Sequence, residues 1–126
     1  MNALKNFIEK NGMYSFRYDE AYKKQFARAG QGFCNELVKL LGLDNYRYYY
    51  NKAGIACSGD VSFFGEKNGR MFYLHFNTDG TCGTTCDTTG YYRTVKGFTD
   101  YTGGKNIWFN MLDTTEQIAK RIREIL

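Results

Sequence analysis

The chain has 126 residues, a formal net charge of +4 from 17 basic and 13 acidic side chains, and a composition 43% hydrophobic and 17% aromatic. That length predicts one domain over residues 1–126, and that apolar share suffices for a core without disulfides. No apolar run approaches the roughly 18 residues that span a bilayer and no signal-peptide core opens the chain, so no membrane is expected, and a cytoplasmic protein with reduced cysteines is.

In chain order, residues 1–43 read as helical. "ALKNFIEK" places Leu4, Phe7 and Ile8 at helical spacing and stops at Asn11-Gly12. Tyr18, Tyr22, Phe26, Phe33, Leu37, Leu40 and Leu41 then recur every three or four residues, with Asp19 as the expected N-cap and Gly42 as the stop. Gly30 and Gly32 each cost about 1 kcal/mol in a helix relative to Ala. They predict either a break or a close approach by another segment.

From residue 44 to 111 the period changes to two. "NYRYYYN" sets Tyr46, Tyr48 and Tyr50 on one face and Arg47 and Tyr49 on the other. "DVSFFGEKNGRMFYLHFN" reads as two strands joined by a tight turn at Asn68-Gly69. "YYRTVKGF" and "NIWFNM" make two further strands around a turn-like "TDYTGGK", and residues 113–126 close the chain as an amphipathic helix capped by Asp113 with Glu116. Helices segregated from hairpin-joined strands predict an α+β fold: N-terminal helices, an antiparallel sheet of four to five strands, a C-terminal helix.

Two groups of residues carry functional chemistry. Cys57, His75, Cys82 and Cys86 form a nominal Cys3His zinc set, and a Cys–His pair among them could supply a nucleophile. The set lacks the second close ligand pair of most structural zinc motifs, and the cysteines lie in "TDGTCGTTCDTTG", which reads more simply as a polar connection. No cofactor is therefore expected, zinc on that set being the alternative. No nucleophile signature, phosphate loop or assembled carboxylate pair is present, so the sequence predicts a binding module rather than an enzyme.

The second group is aromatic and basic: Arg47, Tyr48, Tyr49, Tyr73, Tyr91, Tyr92 and Arg93. Tyr and Arg are favoured at the centres of protein interfaces, so a protein partner is the first expectation. Single-stranded nucleic acid, its bases stacked on aromatic rings and its phosphates on cations, is the second. "SGDVSFFGEKNGRMFYLHFN" and "YYRTVKGFTDYTGGKNIWFNM" resemble the small accessory proteins of phages and conjugative elements, a group that includes anti-restriction and anti-CRISPR proteins. The resemblance, over about residues 58–111, implies a mobile-element protein that obstructs a host's nucleic-acid-handling machinery. Many such proteins are acidic DNA mimics; the basic charge here implies direct contact with a protein or nucleic acid instead.

Overall fold

The computed structural model describes residues 2–12, 20–51, 60–77 and 88–126. Helix α1, Ala3–Asn11, starts because the Asn2 side chain accepts from the Leu4 and Lys5 amides at 3.0 and 3.1 Å. It ends at Gly12, whose φ of +76° suits a residue without a Cβ. Helix α2, Glu20–Leu41, is continuous. Asp19, the expected N-cap, lies outside the described residues.

Gly30 does not break α2. A Cβ there would come within 3.1 Å of the Tyr48 hydroxyl and 3.2 Å of the Phe76 ring, so the glycine marks a close approach to the sheet. Gly32 would meet Ala3 of α1 at 3.4 Å. The helix ends at Gly42 (φ +62°), where the Gly42 amide donates to Lys39 O and the Leu43 amide to Val38 O. These paired bonds satisfy carbonyls that a helix end otherwise leaves open.

Six strands follow among the described residues: β1 Asn45–Asn51, β2 Asp60–Lys67, β3 Arg70–Asn77, β4 Thr89–Gly97, β5 Asp100–Gly103 and β6 Ile107–Asn110. All pairings are antiparallel in the order β1-β2-β3-β4, with both β5 and β6 on the far side of β4. β2 and β3 turn at Asn68 (φ +52°) and Gly69 (φ +81°), the paired positive angles of a type I′ hairpin. The stretch read as the turn "TDYTGGK" contains β5. Its adjacent glycines gave it the look of a loop, but at 103 and 104 they let the chain press against Thr94 of β4.

Helix α3, Thr115–Arg123, is capped one residue later than the sequence suggested. Thr114 accepts from the Gln117 amide and Gln117 reaches back to the Thr114 amide, so the capping box is Thr114–Gln117 and not Asp113–Glu116. The predicted α+β architecture is the one observed.

Strand alternation gives the sheet two unlike faces. Val61, Phe63, Phe72, Leu74, Phe76, Tyr92 and Phe109 point to the helices and form one core with Phe26, Phe33, Leu37, Ile118 and Ile122. Phe33 is central, edge-on to Phe76 at 5.6 Å and stacked on Phe109 at 6.3 Å. Asn2 ties the layers together from below, its side-chain amide donating to Met111 O (2.9 Å) and Asp113 O (2.8 Å).

Packing is tight at Gly65 in β2, where a Cβ would meet the Phe72 ring at 2.5 Å and Leu43 at 2.7 Å. Gly65→Ala is expected to cost about 1–3 kcal/mol through overpacking. Urea unfolding measures it; a variant as stable as the parent would show that these neighbours yield freely.

Candidate functional site

The face turned away from the helices is built from two cross-strand rows. In the first, Tyr49, Ser62, His75, Tyr91 and Trp108 lie opposite one another in sequence across β1, β2, β3, β4 and β6. In the second, one pleat along, Arg47, Phe64, Tyr73 and Arg93 do the same across four strands. Residues two apart on a strand share a face and lie about 7 Å apart, so the rows run side by side.

Rings touch along the first row. His75 stacks on Tyr91 at 5.0 Å with 27° between planes, and Tyr91 meets Trp108 edge-on at 5.4 Å. Trp108 is 57% exposed and Tyr101 of β5 is 47% exposed; together they present the largest uncovered aromatic surface among the described residues of this face. Trp108 also lies beside a fixed backbone, since Arg121 of α3 donates to its carbonyl at 2.8 Å.

The second row is partly roofed. β4 shifts register between Val95 and Gly97, and the turn that follows brings Phe98 and Tyr101 over the sheet. Tyr101 packs edge-on against Tyr73 (5.0 Å, 89°) and Phe64 (5.4 Å). Phe64 and Tyr73 are thereby buried, forming a second cluster with Val95. Arg47 closes it from the β1 side with its guanidinium 4.7 Å from the centre of the Phe98 ring, and Arg93 lies 5.7 Å from that of Tyr73. The Arg93 Nε is buried without a hydrogen-bond partner, leaving the outer guanidinium nitrogens as its polar end. Burial pushes the Tyr73 phenol above its ordinary pKa, opposed by its contact with Ser62 at 3.3 Å; the hydroxyl is neutral.

Not all of the residues singled out from sequence share this face. Arg47, Tyr49, Tyr73, Tyr91 and Arg93 do. Tyr48 and Tyr92 belong to the other: the Tyr48 hydroxyl donates to Ala27 O of α2 at 2.8 Å, and Tyr92 is 2% exposed within the helix-side core. Two adjacent residues of a strand cannot point the same way, and in both the Tyr48-Tyr49 and Tyr91-Tyr92 pairs one tyrosine is structural. Trp108, Tyr101 and Phe98 were missed. For Trp108 a signal existed, because in "NIWFNM" it alternates against Ile107, Phe109 and Met111, the core-facing set.

His75 is held in the middle of the row. Its Nε2 lies 3.5 Å from Asp60 Oδ2, and Asp60 also accepts from Asn51 Nδ2 at 2.8 Å. Of the zinc set, only His75 has a described place; Cys57, Cys82 and Cys86 lie outside the described residues. Among the described residues no three His, Cys, Asp or Glu side chains gather in a way that could hold a metal ion. Cys34, the remaining cysteine, is buried in α2, and burial raises its thiol pKa, which suits a filler rather than a nucleophile. No described helix is long and apolar enough to cross a membrane. No protein-family model, curated protein or solved structure matches the chain.

The hydrogen bond from His75 holds the Asp60 carboxyl below its ordinary pKa, with Asn51 adding to the effect and burial opposing it. A carboxyl whose folded pKa is depressed contributes stability that is present above its unfolded value, about 3.9, and lost as pH falls through the folded value. Asp60→Asn is therefore expected to flatten the acid limb of the stability profile below about pH 4. Thermal unfolding against pH reads this directly, and superimposable acid limbs would mean that Asp60 is not held by His75.

Proposed function

We propose that the chain is a non-enzymatic binding module that contacts a protein partner through the face of its sheet turned away from the described helices. The observation that carries this reading is the Trp108–Tyr91–His75 row, exposed at Trp108 and partly so at Tyr91 and His75, together with Tyr101, on the face that no described helix covers. Large aromatic side chains lose little conformational freedom on binding and bring much apolar area, and they dominate the energetics of interfaces. The likeness to accessory proteins of phages and conjugative elements extends the reading: the partner belongs to a host's nucleic-acid-handling machinery, and binding obstructs it.

A second reading is favoured by one feature. Arg47 and Arg93 stand in the row next to the aromatic one, the arrangement in which bases stack on rings while phosphates reach cations. On that reading the ligand is single-stranded nucleic acid.

The test uses Trp108→Ala combined with Tyr101→Ala, both exposed positions whose loss leaves the helix-side core intact. Capture of partners from bacterial lysate, with and without nuclease, should recover a protein on the parent chain that survives nuclease and is lost on the double variant. Each truncation is expected to cost about 2 kcal/mol, roughly thirtyfold in Kd. Unchanged capture by the double variant would remove this face from the interaction. Capture lost to nuclease, with affinity for a single-stranded oligonucleotide falling steeply as salt rises, would replace the first reading with the second.

A further inference from the structure

At the end of the sheet carrying the β2–β3 turn, far along the strands from Trp108, two clefts share one side chain. The first, of about 230 Å³, lies between the turn and the C-terminal ends of α2 and α3, and Lys67, Arg70 and Arg123 line it over apolar walls from Leu41 and Leu126. The second, of about 380 Å³, lies between the turn, β4 and the end of the chain, and its charged lining is Arg70 and Lys96. Together the linings hold four cations and no acidic residue.

Two of the cations are fixed in place. Lys67 Nζ donates to Gly42 O at 3.0 Å and Arg123 Nη2 to Leu40 O at 2.9 Å, so each spends one donor on the end of α2. An ammonium has three N–H donors and a guanidinium five, which leaves both with donors to spare. The Arg70 and Lys96 side chains make no hydrogen bond or ion pair among the described residues. Three acids stand around the clefts without lining them: Asp44 Oδ2 accepts from the Asn68 amide at 2.9 Å, Glu66 accepts from Asn45 at 2.6 Å, and Asp100, which acts on Lys96, is held by the Thr102 amide and hydroxyl. The result is a pair of clefts joined at Arg70 whose lining side chains carry four positive charges and no negative one.

We propose that these clefts bind a small molecule carrying two linked phosphoryl groups. One phosphoryl group sits among Lys67, Arg70 and Arg123, where a guanidinium fork and a held ammonium suit a multiply charged oxyanion. The linked group occupies the neighbouring cleft and is met by Lys96, with Arg70 serving both. A single carboxylate would use only the first cleft and leave Lys96 unmatched.

The experiment is a titration of the isotope-labelled protein with inorganic pyrophosphate, followed through backbone amide signals, with orthophosphate as comparator. Pyrophosphate is expected to shift the Asn68, Gly69 and Lys96 amides saturably and to bind more tightly than orthophosphate. Arg70→Gln should weaken both anions about tenfold or more, the loss of one charge-assisted contact. Lys96→Gln should weaken pyrophosphate and leave orthophosphate unchanged. Both side chains are exposed and bond to nothing that holds the fold, so thermal unfolding of the variants should match the parent. Shifts that fail to saturate, or titration curves identical in the parent and Arg70→Gln, would overturn the proposal. So would equal weakening of both anions by Lys96→Gln, which would reduce Lys96 to a general charge effect.

Discussion

Everything about this molecule's two-faced character rests on how closely α2 lies on the sheet, and that closeness is decided at Gly30. There the helix backbone meets the edge of the Phe76 ring and the Tyr48 hydroxyl, with no room for a methyl group without displacement. The contact commits Tyr48 to α2, through its bond to Ala27 O, and places Phe76 between Phe26 and Phe33. Once those two strand residues are fixed inward, alternation fixes their neighbours outward, and a slip of one residue would exchange the two sets entirely. The row of Tyr49, His75, Tyr91 and Trp108 thus faces away from the helices as a consequence of what the helix side demands.

The outward face is itself divided, by the return of the chain after β4. The register shift at Val95 and Gly97 lets Phe98 and Tyr101 lean over Phe64 and Tyr73, which would otherwise be the most apolar part of an open sheet. A bulge that bends a strand back over its own sheet conceals a patch that would invite edge or face association. What stays uncovered is narrower and less greasy: an aromatic row with polar tips, flanked by Arg47 and Arg93. The same sheet therefore carries a packed minor core and an aromatic strip within one pleat of each other, and the cationic clefts lie at a third, separate place.

Much of this could be read in the residues, and the failures are instructive. The helices, the type I′ hairpin and the alternation in β1 and β3 were legible because each obeys a local rule: helical spacing, Asn-Gly at positive φ, period two. The short strand β5 was hidden because its pairing depends on Thr94 of β4 accepting two glycines at close range, a tertiary fact written as a loop composition. The cap of α3 was misplaced by one residue because Asp113 and Thr114 both cap well, and only the geometry of Gln117 selects the second. On the sheet face turned from the helices, residue type alone picked out Arg47, Tyr49, Tyr73, Tyr91 and Arg93, whereas Tyr48 and Tyr92 came with them because tyrosine suits both a core with a hydrogen-bonded tip and a wet surface. The strand parity that separates the two uses was present in the sequence. Its direction required knowing where the helices lie. The cation clefts left no local signature at all, since Lys67, Arg70, Lys96 and Arg123 come from separate elements.

The bond from the Asn2 side chain to Met111 O and Asp113 O spans more than a hundred positions of the chain. Helix α1 is synthesised well before the backbone that anchors its cap. During vectorial synthesis α1 and its apolar stripe of Leu4, Phe7 and Ile8 must wait, paired at most with α2, until β6 and the approach to α3 arrive. Contacts of such long sequence separation form late and slow the overall reaction. The nascent chain therefore passes through an interval in which an amphipathic helix pair is complete and its sheet is not, and in that interval its apolar face is open to chaperones.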